Sequence, residues 1–261
     1  MIDLLNLDMC LAGFFFAFLI LWSGIGAGVL VIPCLISVFH IEPIVAIASG
    51  SAFAFISKIM MTIGHAQQDS INWRAALSFL RVCLPVTLAT SISMAYLSTN
   101  HRGIVLELCL INAILLAGCL ALSALLSARV KSILSHCPMI TISGTTGFLM
   151  GLTGVGGGVM VVPALTTSGG LKIKVAVATS IPIGLILSLA VSATLGSSGL
   201  IDFTLVTSLL IGAAIAIPLG TRLFRRFSER FIKYLTCGLI LVALIDLAIE
   251  ALELSKDLRS I

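Results

Sequence analysis

Residues 24–35 read GIGAGVLVIPCL, and residues 154–165 read GVGGGVMVVPAL. The offset is 154 − 24 = 130, and the same gapless shift aligns other stretches. Ala46-Ile47-Ala48-Ser49 falls on Ala176-Val177-Ala178-Thr179, and Ile71-Asn72-Trp73 falls on Ile201-Asp202-Phe203. Ser78 likewise falls on Ser208. One shift that serves three separate motifs marks two copies of one unit.

Around these motifs the chain is apolar. Of its 261 residues 59% are hydrophobic and 10% charged, with a mean hydropathy of +1.20. Soluble domains carry about 25% charged residues, so this chain lacks the polar surface to cover a water-soluble core. A disordered chain is excluded by the same figures, since disorder needs low hydrophobicity and high net charge. The fold class expected is an all-α polytopic membrane protein. The apolar runs are Cys10–Val38, Pro43–Gly64, Ala75–Leu97, Ile104–Leu126, Met139–Leu165, Val175–Leu195, Phe203–Leu219 and Phe231–Leu252. They make about eight transmembrane segments, since a helix needs roughly 20 apolar residues to cross. Barrel strands are excluded, because those are about ten residues of alternating polarity. The expected organisation is a first membrane repeat at 1–126, a polar connecting loop at 127–138 and a second repeat at 139–261. Met1–Cys10 carries Asp3 and Asp8 and no base. A cleaved leader would have a positive n-region, so the first segment is expected to be retained.

Segments one and five carry the glycine motifs and are expected to be broken there. Glycine lets backbone leave helical geometry and exposes N–H groups with no Cβ in the way. A half-helix that restarts after the break would present unpaired donors and a positive dipole end, which suits an anion. Irregular backbone at membrane depth survives only inside protein or along a cavity. Repeat-built transporters place their substrate site where such interrupted segments meet. The packing alternative is that small residues let helices approach closely. Pro33 and Pro163 are expected to terminate or kink the half-helices. Pro85, Pro182 and Pro218 are expected to interrupt longer helices.

These motifs resemble the sulfite exporter TauE/SafE family of membrane permeases. The resemblance rests on Gly154 to Leu165, Ala178-Thr179-Ser180, His65, and Ile71-Asn72-Trp73-Arg74, and extends through Gly220-Thr221-Arg222-Leu223 to Phe231. The first half departs from the pattern: Ala27 stands for the middle glycine, Ser49-Gly50 for Thr-Ser, and Asn72 for the usual Asp. The resemblance implies transport of small anions, such as sulfite, sulfonates and related organic anions, in either direction.

Ionisable groups at membrane depth are functional candidates. Lys58 lies in segment two, on one helix face with Ser51, Thr62 and His65. Arg81 lies in segment three. Lys58, His65 and Arg81 are read as the basic entrance of an anion path, with snorkelling to the interface as the alternative. The 130-residue shift puts Ser188 and Ile211 opposite Lys58 and Arg81, so such a role belongs to one half only. Asp246 is the deepest acid of the last segment and a candidate for coupling a proton or cation.

Orientation follows from the loop bases. If all eight segments cross, Arg74, Arg129, Lys131, Lys256 and Arg259 share the N-terminal side. If segments one and five dip in and return, only Arg102, Lys256 and Arg259 do. The second division obeys the positive-inside rule better and makes the halves inverted repeats.

The chain shows no Walker motif, zinc spacing or nucleophile elbow, so neither an enzyme nor an ATP-driven pump is expected. The seven cysteines include no CxxC and sit mostly among apolar neighbours. They read as buried small hydrophobes, and neither cofactor nor metal is expected. No basic tract with aromatic interleaving points to nucleic acid. The reading is a secondary-active transporter of small anions in the cell membrane, a multi-pass protein expected in a bacterial plasma membrane. Its partners are a small anionic substrate, the lipid bilayer and a coupling proton or cation. Its substrate-binding residues are Gly24, Gly26, Gly28, Pro33 and Ser49 with Gly154, Gly156, Gly157, Gly158, Pro163, Thr179 and Ser180. The alternative is a non-transporting membrane scaffold or sensing subunit.

Overall fold

The computed structural model describes residues 7–23, 27–66, 71–100, 103–127, 137–154, 160–167 and 169–223, with helical residues between 234 and 252 (234, 237–238, 241–242, 244–249 and 251–252). The elements are α1 (Leu7–Ser23), a 3-10 turn (Ala27–Val29), α2 (Val31–Ser37), α3 (Pro43–Ala66), α4 (Trp73–Asn100) and α5 (Ile104–Leu126). They continue with α6 (Met139–Thr153), α7 (Val161–Thr167), α8 (Ile173–Gly196) and α9 (Phe203–Leu223). The described residues are helical, with no strand among them. Four stretches are long and apolar enough to cross a membrane: Pro43–Ile63, Trp73–Asn100, Val175–Gly196 and Phe203–Gly220. Leu7–Leu21, Val105–Leu120 and Met139–Thr153 are shorter apolar helices.

The prolines of the glycine motifs sit differently from expectation. Pro33 and Pro163 are each the third residue of a short helix, α2 and α7, rather than its end. In a first turn the missing N–H has no intrahelical partner to lose, and the fixed φ suits the helix. These prolines therefore start the segments after the breaks. Pro85, Pro182 and Pro218 lie inside α4, α8 and α9, which run on through them rather than being interrupted.

Local geometry recurs 130 residues apart. The backbone leaves α2 at His40 with φ 51° and leaves α7 at Gly170 with φ 63°. Ile41 N–H donates to the Leu35 carbonyl at 3.1 Å, and Leu171 N–H donates to Leu165 at 3.0 Å. Each bond reaches back six residues over a left-handed residue and closes the turn that follows the short helix. Histidine is one of the few side chains that tolerate such a φ, which lets His40 do what Gly170 does. The next helices then begin at Pro43 and Ile173. Further on, Asn72 Oδ1 caps α4 by accepting from Ala75 N–H at 3.1 Å. Asp202 Oδ1 caps α9 by accepting from Leu205 N–H at 3.1 Å and Thr204 N–H at 2.9 Å. Both are the preferred kind of N-cap residue.

Glycines set the closest helix contacts. A Cβ on Gly13 of α1 would strike the Leu209 carbonyl of α9, and one on Gly212 of α9 would strike the Cys10 carbonyl of α1. Gly220 of α9 lies against Leu21 and Phe18 further along, so α1 and α9 run side by side in the same direction. Gly147 of α6 lies on the Cys83 carbonyl of α4, and Gly151 lies on Thr87 and Thr90. Thr87 Oγ1 also donates to the Gly147 carbonyl at 3.1 Å. So α6 and α4 are parallel too. Small residues at these contacts are what membrane helix association favours.

The long helices of the two halves pack on each other. Asn72 at the start of α4 meets Thr179 near the start of α8. Ile92, Ala95, Tyr96 and Thr99 share a cleft with Thr194, Ser197 and Ser198 at its end. Thus α4 and α8 are parallel. By contrast α3 and α8 are antiparallel: Ser49, early in α3, meets Asp202 just beyond α8, while Lys58, later in α3, meets Ser188. Thus α6 and α8 both run in the direction of α4.

Candidate functional site

The second glycine motif opens at Gly154, which ends α6 with φ 67°. Its N–H donates to the Met150 carbonyl at 2.9 Å. A Cβ here would lie 2.7 Å from Ile32 Cδ1, 3.1 Å from Ser51 Oγ and 3.3 Å from Ile47 Cγ2. Left-handed backbone and this crowding both select glycine. Ile32 lies in α2, four residues beyond the buried Gly28, so the start of the second motif packs on the element that follows the first. Pro33 and Pro163 are buried in α2 and α7. Gly24, Gly26, Gly156, Gly157 and Gly158 lie outside the described residues, as does the side chain of His65.

Ser49, Thr179 and Ser180 are buried, and two of them are engaged across the halves. Asn72 N–H donates to Thr179 Oγ1 at 2.9 Å, and Asp202 N–H donates to Ser49 Oγ at 2.9 Å. The two bonds are counterparts: adding 130 to Ser49 and Asn72 gives Thr179 and Asp202. Each hydroxyl accepts an N–H at the start of a helix from the other half, one of the donors that a helix leaves unpaired. Ser180 Oγ instead donates to the Val177 carbonyl at 2.7 Å. The sequence reading gave these hydroxyls to a ligand and missed their use as cross-half fasteners. The signal was there, since each hydroxyl and each cap residue belongs to a motif that the 130-residue shift aligns.

The breaks do not restart as long half-helices. Both α2 and α7 are seven residues long. Two turns give a short dipole, so an anion at the breaks would rest on individual N–H and O–H donors.

The basic residues grouped as an entrance lie in different settings. Arg81 is exposed on α4, whereas Lys58 is only 4% exposed. The Lys58 ammonium does not snorkel outward: it donates to Ser188 Oγ of α8 at 3.2 Å, and Ser188 in turn donates to the Gly184 carbonyl. Lys58 and Ser188 are themselves counterparts under the shift. Along α3, Ser51, Ser57 and Thr62 have buried hydroxyl oxygens with no hydrogen-bond partner. Asp246 is on an exposed face of the last helical stretch.

Comparison with known proteins places this architecture. The family model described as "Sulfite exporter TauE/SafE" matches residues 9–247. The probable membrane transporter protein YjnA of Bacillus subtilis is 26% identical over 92% of this chain and 98% of its own. The probable membrane transporter protein MJ0441 of Methanocaldococcus jannaschii is 27% identical over 89% and 91%. A probable membrane transporter protein of Xylella fastidiosa is 26% identical over 84% and 85%. No solved structure matches the chain. With a family match over nearly its whole length and several apolar helices of membrane-crossing length, the chain is a multi-pass membrane protein that belongs to the sulfite exporter TauE/SafE family.

Proposed function

We propose that this protein is a secondary-active carrier of small anions in the cell membrane, built from two inverted copies of one four-segment unit. The copies are residues 1–126 and 139–261, joined by 127–138, and make eight segments in all. Segments one and five are re-entrant hairpins whose glycine breaks meet inside the bundle. The observation that carries this reading is the contact of Gly154 with Ile32 and Ser51, which joins the second break to the first half. The antiparallel run of α3 against α8 supports inversion, and the common direction of α6 and α8 supports a hairpin between them. Inverted repeats that meet around a central site are the arrangement suited to alternating access.

The substrate is a small anion of the sulfite, sulfonate or carboxylate class. It is held by backbone N–H groups of the breaks Gly24–Gly28 and Gly154–Gly158, apart from the Gly154 N–H that the Met150 carbonyl takes. Ser49 and Thr179 add hydroxyl protons, since the bonds described for them use only the oxygens as acceptors. Asp246 is the candidate for a coupled proton or cation. The test is Gly156→Val or Gly157→Val in purified protein reconstituted into liposomes, assayed for flux of sulfite, methanesulfonate and acetate. Loss of flux is expected, with the variant still folded in the membrane; full transport would refute the site. Glycines that serve packing alone predict no stabilisation of the wild type by any of these anions.

A further inference from the structure

Among the described residues Lys58 is the only charged side chain in the buried core. Its one hydrogen-bond partner there is neutral, the Ser188 hydroxyl. A buried charge is ordinarily paired with its opposite, and no carboxylate among the described residues pairs with Lys58. Three more polar atoms on the same helix are buried without a partner: Ser51 Oγ, Ser57 Oγ and Thr62 Oγ1. Ser51, Lys58 and Thr62 are spaced by seven and four residues, so they form one stripe along α3. The stripe begins beside Gly154, whose position lies against Ser51. It reaches Lys58 about 10 Å further along the helix, at 1.5 Å per residue.

We propose that Lys58 is the counter-charge of the transported anion, and that it sets the carrier's preference for monovalent over divalent anions. The inference rests on the anion-carrier reading above and adds its charge selectivity. The anion meets the stripe at Ser51, next to the glycine break, and pairs with the Lys58 ammonium by displacing the Ser188 hydroxyl. One buried cation with one monoanion makes a neutral pair. A dianion leaves one uncompensated negative charge where the described core offers no second cation, and an uncompensated buried charge is strongly disfavoured. The α3–α8 crossing is also a contact between the two halves, so the same pair is placed to sense their relative movement.

Methanesulfonate and sulfate test this, being tetrahedral oxyanions of similar size that differ by one unit of charge at pH 7.5. Thermal-shift titration and liposome flux are measured with both on the full-length protein. The wild type is expected to bind and move methanesulfonate in preference to sulfate. Lys58→Met keeps the length of the stem without the charge, and replacing a buried charge by an apolar group of similar volume is often neutral or stabilising. It should weaken methanesulfonate binding about 30-fold or more, the usual scale for losing one partner of a buried charge pair. The exchange Lys58→Ser with Ser188→Lys moves the ammonium to the facing position and should restore the monovalent preference. A purely structural lysine predicts no such recovery. Unchanged methanesulfonate affinity in Lys58→Met overturns the proposal, as does a wild type that prefers sulfate. A wild type that responds to neither anion overturns this inference, and if sulfite and acetate also fail the anion-carrier reading falls with it.

Discussion

Gly154→Ala tests how tightly the second glycine break is held against the first half. Two costs are expected. The residue sits at φ 67°, and a left-handed conformation costs an alanine roughly 1 kcal/mol more than a glycine. The new methyl would also lie 2.7 Å from Ile32 Cδ1, and overpacking of this kind costs about 1–3 kcal/mol. Together they amount to about 2–4 kcal/mol. At about 2–4 °C per kcal/mol for a chain of this size, the unfolding temperature in detergent should fall by on the order of 10 °C. The steric part has an identifiable owner, because Ile32→Val deletes the Cδ1 atom that the methyl would strike. That substitution alone costs about 0.5–1.5 kcal/mol. The double variant should therefore be more stable than the sum of the two losses, by a coupling of about 1–2 kcal/mol. The left-handed cost remains. Strictly additive losses, or an unfolding temperature for Gly154→Ala equal to that of the wild type, would refute the packing of this break on α2.

Ser49→Ala and Thr179→Val each remove the acceptor of one cross-half bond. Each should cost about 1–2 kcal/mol, the scale of a buried N–H left unsatisfied, and the two losses should match within experimental error in thermal unfolding. A large loss in one with none in the other would break the equivalence of the two bonds. The re-entrant topology predicts that cysteines introduced at Arg129 and Lys174 react with a membrane-impermeant maleimide from the same side of intact cells. Labelling from opposite sides would exclude hairpins in segments one and five.

Much of this fold was legible in the sequence because membrane spans are written in long apolar runs. The run Ile104–Leu126 coincides with α5, and Pro43–Gly64 falls two residues short of the end of α3. Helix ends in α4 and α8 extend one to three residues beyond their apolar runs, because polar end residues and caps such as Asn72 lie outside the hydropathy signal. The role of Pro33 and Pro163 was misjudged. Hydropathy registers proline as an interruption, whereas its effect depends on whether it enters a first turn or a later one. The setting of Lys58 was hidden for a different reason. The sequence reading weighed an anion entrance against snorkelling to the interface, and a helix alone cannot show which face another helix covers. Burial there is decided by α8, more than a hundred residues away in sequence.

The contrast between the two kinds of cross-half contact has a physical cause. At Ser49–Asp202 and Thr179–Asn72, a hydroxyl of each half meets a backbone N–H of the other. Those contacts come in two copies that lie apart, so duplicated chemistry costs nothing. At the crossing of α3 and α8, position 58 meets its own counterpart, position 188, at 3.2 Å. A residue that faces its own copy cannot be a charge in both halves, since two ammonium groups at that separation would repel in a poorly screened interior. A neutral pair there would be permitted but would leave the buried core, among the described residues, without a cation. One lysine opposite one serine is the arrangement that keeps a positive charge at the crossing and lets the two copies pack. The difference between positions 58 and 188 is thus what two facing side chains require when one of them carries a charge.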